Sequence, residues 1–204
     1  MKRFSAFMVA LVLALSFGAS AQASDIDMPA LMRLFAVSKH IKAEFVERKF
    51  LQILDTPVES NGELVFRAPG RLEKRTKLPR PETLIIDGNS VSIERGSFKR
   101  TLPLDEFADM ASMVRSLTAT FRGDQVSIEQ FFKWKLSGPA ERWQLVLSPK
   151  SSKLFITLRE IRLSGDNGYV HTVETTLTDG DRSLMTLGRP VVLPAQKFLR
   201  SCRR

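Results

Sequence analysis

Between residues 105 and 121 the apolar side chains fall at helical intervals. Phe107, Met110, Val114, Leu117 and Phe121 are separated by 3, 4, 3 and 4 positions, which places them on one helical face. Asp105 and Glu106 occupy the first turn, where carboxylates oppose the helix dipole, and Asp105 can serve as the N-cap. On both sides of this segment the period drops to two. Ile41, Ala43 and Phe45 alternate with Lys42, Glu44 and Val46, which predicts a long strand from His40 to Ile53. Further strands are expected at Glu63 to Arg67, Arg71 to Leu78, Glu82 to Ile86, Asn89 to Glu94 and Phe98 to Leu102. Asp87-Gly88 and Arg95-Gly96-Ser97 mark turns among them. Downstream, a short helix from Asp124 to Phe132 with Ser127 as its cap precedes strands at Lys133 to Ser137, Arg142 to Leu147, Leu154 to Leu163, Tyr169 to Leu177 and Arg182 to Leu187. An amphipathic helix over Asp25 to Lys39, capped by Asp25 or Asp27 and with Leu31, Leu34, Phe35 and Ser38 in helical spacing, comes before them all. The expected fold is therefore mainly β with some α: about eleven strands joined by short antiparallel connections, with two or three helices. The tail from Val191 to Arg204 is expected to be loosely ordered.

The two ends add a cellular address and exclude a class of stabilising bond. Lys2 and Arg3, the apolar run Phe7 to Phe17 and Ala21-Gln22-Ala23 form the pattern of a secretory signal peptide cleaved after Ala23. That leaves about 180 residues for a single domain over 24–204 with a basic C-terminal tail, enough to bury a core. Cys202 is the one cysteine, so no internal disulfide can form. His40 and His171 have no cysteine partners, are read as strand residues, and offer no metal set; no cofactor is expected. The formal net charge of +9 suits an anionic membrane surface or an acidic partner. Export, and the lack of glycine-rich phosphate loops, argue against nucleic acid.

The order of local motifs carries a resemblance. An N-terminal helix, the strand Ile41-Lys-Ala-Glu-Phe45, Gly62-Glu-Leu-Val-Phe-Arg-Ala-Pro69, the Pro81 to Gly88 segment, and Trp143-Gln-Leu-Val-Leu-Ser-Pro-Lys150 followed by a long strand and an Asp-Asn-Gly hairpin are together similar to the periplasmic outer-membrane lipoprotein carrier family, LolA and LolA-like proteins. The similarity runs from about residue 25 to 190. It implies an incomplete antiparallel β-barrel closed by lid helices over an apolar cavity. It also implies a monomeric periplasmic carrier that takes the acyl chains of lipoproteins from an inner-membrane ABC-type extractor and hands them to an outer-membrane receptor, without covalent chemistry. The best-known members carry an arginine before the proline of the Ala68-Pro69 turn, and it holds the lid shut. Here that position is Ala68, so Arg67, Arg71 and Arg75 become candidate lid contacts.

The candidate acyl-chain-binding positions are Phe45, Leu64, Phe66, Leu72, Leu84, Ile86, Val91 and Ile93 on strands, and Met110, Met113, Val114 and Leu117 on the long helix. Methionine adapts to chains of no fixed shape. Phe66 and Val65 point to opposite faces, and the pattern does not say which is inward. Two other readings stay open: a carrier or sensor of another acylated lipid, such as a glycolipid or pigment precursor, and a lipid-modifying hydrolase. The hydrolase has little support, because no Gly-x-Ser-x-Gly elbow or metal-binding helix is present and Asp105 and Asp109 are explained by capping and solvation. Under the carrier reading, Val114→Arg or Leu117→Asp should impair cargo loading while leaving export unchanged, measured by comparing secreted yield with lipoprotein uptake.

Overall fold

The computed structural model describes residues 24–37, 40–103 and 118–193. Helix α1 (Met28–Val37) starts where Asp27 caps it, its carboxylate accepting from the Ala30 amide at 2.7 Å. Its buried stripe is Met28, Leu31, Met32 and Phe35, so the inward face lies to one side of the expected Leu31, Leu34, Phe35, Ser38 set. Six strands follow: β1 (His40–Phe50), β2 (Val58–Arg67), β3 (Arg71–Leu78), β4 (Glu82–Asp87), β5 (Ser90–Arg95) and β6 (Phe98–Pro103). The long periodic segment from 105 lies outside the described residues up to 117, and residues 118–122 are helical. Then come α2 (Gln125–Phe131), β7 (Phe132–Ser137), β8 (Trp143–Pro149), the single helical turn α3 (Ser152–Phe155), β9 (Leu158–Asp166), β10 (Tyr169–Leu177), β11 (Arg182–Leu187) and β12 (Val191–Val192).

All pairings are antiparallel, in the order β6-β5-β4-β3-β2-β1-β11-β10-β9-β8-β7. Strands β6 and β7 end this path without pairing with each other, so the sheet is an incomplete barrel. The chain joins its two halves at β1, whose free edge takes β11 over Phe45 to Phe50 and β12 over Ile41 and Lys42. Between them Gly188 donates to Glu44 and Leu193 to His40, so β11 and β12 run as one interrupted strand. Pro190 sits in the interruption, where its missing N–H costs no ladder bond. This pairing corrects the expectation of a loose tail as far as residue 193; residues 194–204 lie outside the described residues.

Three local expectations also change. Asn61-Gly62 lies within β2, which starts at Val58. A Cβ on Gly62 would stand 1.9 Å from the Arg75 carbonyl oxygen, so glycine lets β3 close on β2 at a register shift. The α2 cap is Asp124, whose carboxylate accepts from the Ser127 amide at 3.1 Å; Ser127 is thus the capped residue. The apolar run Leu154-Phe155-Ile156 is not strand. Ser151 and Ser152 carbonyls accept from Phe155 and Ile156 in a helical turn, and β9 begins at Leu158.

The helix-covered face of the sheet buries two clusters. The larger joins α1, α2 and Ala119 to Phe45, Leu187 and the β7 to β10 positions Phe132, Trp143, Leu145, Leu147, Leu158, Ile161, Leu163 and Val170. Phe35 meets Trp143 edge to face, with ring centroids 5.5 Å apart. The smaller consists of Phe66, Leu72, Ile86 and Val91. Since Gly62 is fixed by backbone approach, Gly62→Ala should destabilise the fold by about 1–3 kcal/mol. In thermal melts this appears as a lower Tm, by about 2–4 °C per kcal/mol for a domain of this size.

Candidate functional site

Strand alternation puts Ile41, Ala43 and Phe45 of β1 on the helix-covered face. Register then carries that face outward: Ile41 pairs with Phe66, Phe66 with Leu72, Leu72 with Ile86, and Ile86 with Val91. One level along, Ala43 pairs with Leu64, and Leu84 with Ile93. All eight strand positions expected to bind acyl chains therefore share this face. Phe66, Leu72, Ile86 and Val91 form the smaller cluster with Leu64, Leu84 and Ile93 against it, while Phe45 belongs to the larger one. Met110, Met113, Val114 and Leu117 lie outside the described residues. Val65 lies on the opposite face and is buried too, at 2% exposure.

Where the two clusters meet there is an apolar cavity of about 30 Å³. Its walls are Phe35 of α1, Ile41, Ala43, Leu64 and Phe66 of the sheet, Phe121, and Gly168, Tyr169, Val170, Leu187 and Pro190. The space is narrow, with Phe35, Phe66 and Phe121 among its walls. Phe121 closes one side, its ring 5.6 Å from that of Phe66 and inclined by 32°. Beside it, the Arg122 guanidinium donates to the Pro69 carbonyl at 3.4 Å and pairs with Asp124 at 3.3 Å. Arg122 thus ties the 118–122 helix to the β2–β3 turn. The three arginines singled out from sequence form ion pairs: Arg67 with Glu73 at 3.1 Å, Arg75 with Glu73 at 2.6 Å, and Arg71 with Asp87 at 2.6 Å. The last of these joins the β2–β3 and β4–β5 turns at a polar cleft of about 530 Å³ that Arg122 also lines.

Charge enters the same face below Phe45. Glu47, 6% exposed, accepts from Lys74 at 2.5 Å, Ser183 at 2.8 Å and Ser60 at 3.3 Å, so four adjacent strands meet on one carboxylate. The Lys74 ammonium lies 5.0 Å from the centre of the Phe45 ring. Burial acts to raise the Glu47 carboxyl, but the Lys74 charge and the hydrogen bonds from Lys74 and Ser183 hold it below the ordinary carboxylate value. A carboxyl held low in the folded state stabilises the fold above its unfolded value, and the gain is lost as pH falls through the folded value.

Sequence reasoning did not single out Glu47, Lys74 or Arg122 for this site, nor the cavity residues Phe35, Tyr169 and Pro190. Ile41, Ala43 and Phe121 were visible as periodic positions; nothing in the pattern marks Tyr169 or Pro190. Among the described residues no helix is long and apolar enough to cross a membrane, and no group of His, Cys, Asp and Glu could hold a metal ion.

Comparison with known proteins adds the following. A family model described as outer membrane lipoprotein carrier protein LolA-like matches residues 18–192. The outer-membrane lipoprotein carrier protein of Pseudomonas fluorescens (strain Pf0-1) is 26% identical over 187 residues, spanning 88% of this chain and 86% of the relative. Among solved structures, a LolA superfamily protein from Nitrosomonas europaea matches with TM-score 0.45 and 9% identity, over 83% of this chain and 94% of that one. The Mycobacterium tuberculosis lipoprotein LppX matches with TM-score 0.43 and 10% identity, over 82% and 96%. The Pseudomonas aeruginosa MucA/MucB complex matches with TM-score 0.45 and 13% identity, over 84% of this chain and 59% of the other.

The Glu47–Lys74 pair yields a stability prediction. Lys74→Met alone strands a buried carboxylate and should cost about 3 kcal/mol, the low end of the range for broken buried pairs because Lys74 retains 21% of its side-chain surface. Lys74→Met/Glu47→Leu removes both charges and should recover most of the loss, read from urea denaturation midpoints.

Proposed function

This chain belongs to the LolA-like outer membrane lipoprotein carrier family, and from that membership we propose that it is a periplasmic carrier of lipoprotein acyl chains. In this reading residues 1–23 are a cleaved signal peptide and 24–204 form the mature carrier. An inner-membrane ABC-type extractor supplies acylated lipoproteins and an outer-membrane receptor accepts them. The observation that carries the proposal is the continuous apolar face from Ile41 and Phe66 through Leu72, Ile86 and Val91, roofed at its edge by Phe121. Such a face binds hydrocarbon without polar contacts, so no covalent step is needed. The acyl-binding set is proposed to be Phe45, Leu64, Phe66, Leu72, Leu84, Ile86, Val91 and Ile93, with Met110, Met113, Val114 and Leu117 from the preceding segment.

The resting cavity of about 30 Å³ fits no acyl chain, so uptake requires the roof to separate from the sheet. Among the described residues, the contacts at this edge include a tilted ring pair and a 3.4 Å hydrogen bond from exposed Arg122. Against them stands the burial of hydrocarbon at about 0.8 kcal/mol per methylene, roughly 11 kcal/mol for a sixteen-carbon chain leaving water. Cargo instead leaves a bilayer and returns to one, so most of that term cancels, and transfer is decided by small differences.

The carrier reading is tested by mixing the purified protein with lipidated and unlipidated forms of one lipoprotein. It should hold the lipidated form in solution and ignore the other; retention of neither sinks the proposal. Lipids co-purifying with the protein, identified by mass spectrometry, distinguish lipoprotein cargo from a glycolipid or other acyl lipid. Phe121→Asp, which sets a charge against Phe66, should lower uptake more than about tenfold while circular dichroism stays unchanged.

A further inference from the structure

The helix-covered face changes character partway along its strands. On β1 it runs Ile41, Ala43, Phe45 and then Glu47. On β2 the same face passes from Phe66 and Leu64 to Gly62 and Ser60, and on β11 from Leu187 through Met185 to Ser183. On β3 it passes from Leu72 to Lys74 and Thr76. Lys74 is in register with Leu64, yet its ammonium reaches across the Phe45 ring to Glu47. The two side chains therefore form a charged bar over Phe45, linking β3 to β1 across β2. Ser60 and Ser183 complete the carboxylate's partners, so the bar is fully satisfied where it lies.

We infer that the Glu47–Lys74 bar is the far wall of the acyl site and sets the length of chain it accepts. The inference rests on the proposed carrier function. A chain entering beside Phe35 and Pro190 and lying along β1 meets apolar side chains from Ile41 to Phe45, four residue steps or about 13 Å of strand. Up to that point each added methylene is worth about a fourfold gain in affinity. Beyond it the chain must push the ammonium off the carboxylate and leave both charges buried apart, a loss larger than one or two methylenes return. Joining four strands is a structural role that the same pair fills, but a purely structural pair would leave no mark on chain-length preference.

Titration of the full chain with straight-chain fatty acids of about eight to about eighteen carbons reads this directly. For the wild type, affinity should climb about fourfold per methylene to a limiting length and then level off. In Lys74→Met/Glu47→Leu the levelling should move to longer chains, whereas Lys74→Arg, which keeps the pair, should leave it in place. A wild-type series that climbs without levelling overturns the wall, and needs no variant to do so. A double variant that levels at the wild-type length overturns it as well. Failure of the wild type to bind any of the acids overturns the carrier function itself.

Discussion

An antiparallel sheet that stops short of closing exposes the apolar face that closure would have buried, and every other feature of this molecule answers that constraint. Strands β6 and β7 stay apart, so the inner side chains cannot be filled from an opposite wall alone. On the β7 to β10 side the answer is permanent. Four α1 residues, Met28, Leu31, Met32 and Phe35, are each no more than 4% exposed, and Phe35 is locked edge to face on Trp143. On the β2 to β5 side, Phe121 is the described side chain from outside the sheet that packs on the cluster. One half of the face is thus a conventional core. The other is a cluster of sheet residues, Phe66, Leu72, Ile86 and Val91, 2–7% exposed, on which Phe121 packs.

That asymmetry explains how far the sequence was legible. Strand periods fix faces without ambiguity, which is why the positions from Phe45 to Ile93 proposed for acyl binding all fall on one side of the sheet once Ile41, Phe66, Leu72, Ile86 and Val91 are in register. What period cannot show is how strands approach one another. Asn61-Gly62 stands just before the strand expected from Glu63, yet it lies within β2, and its glycine is there because the Arg75 carbonyl comes within reach of a missing Cβ. Nor can it show which apolar runs are left in water: Phe155 and Ile156 look like strand and are 54% and 75% exposed. The cavity residues Tyr169 and Pro190 come from the first position of β10, beside its turn, and from a break in strand pairing, where the repeat is too short to read.

Charge on the two faces follows different rules. On the outer face two carboxylates each sit between two cations, Glu63 between Lys42 and Lys77, and Glu73 between Arg67 and Arg75. The Lys77 and Lys42 hydrogen bonds hold Glu63 down to about 2, and pairs as close to solvent as these add little to stability, whereas Glu73 is 5% exposed and depends on its two arginines. On β3, a strand with five charged residues among eight, Arg71, Glu73 and Arg75 alternate with the buried Leu72. Lys74 is the exception, because its charge is on the inner face. There solvation is lost, and the pair is tolerable only because Lys74, Ser60 and Ser183 together satisfy Glu47.

A carrier that works between two membranes gains nothing from a deep, permanently open cavity. An open apolar cavity would be hydrated at a cost when empty, and once loaded would hold its cargo against a bilayer that offers the same hydrocarbon surroundings. A face that closes on itself avoids both. In the proposed carrier, Phe121 would supply Phe66 with the contact that a cargo chain makes, so the exchange would replace one apolar surface by another. The net driving force is then the difference between similar terms, and contacts as small as the Arg122 hydrogen bond to Pro69 are of the right size to bias it. In the proposed carrier, Phe121 and Arg122 are the side chains whose contacts would be exchanged, and they sit in the same helical segment as Ala119, which is fully buried and anchors it to the larger cluster.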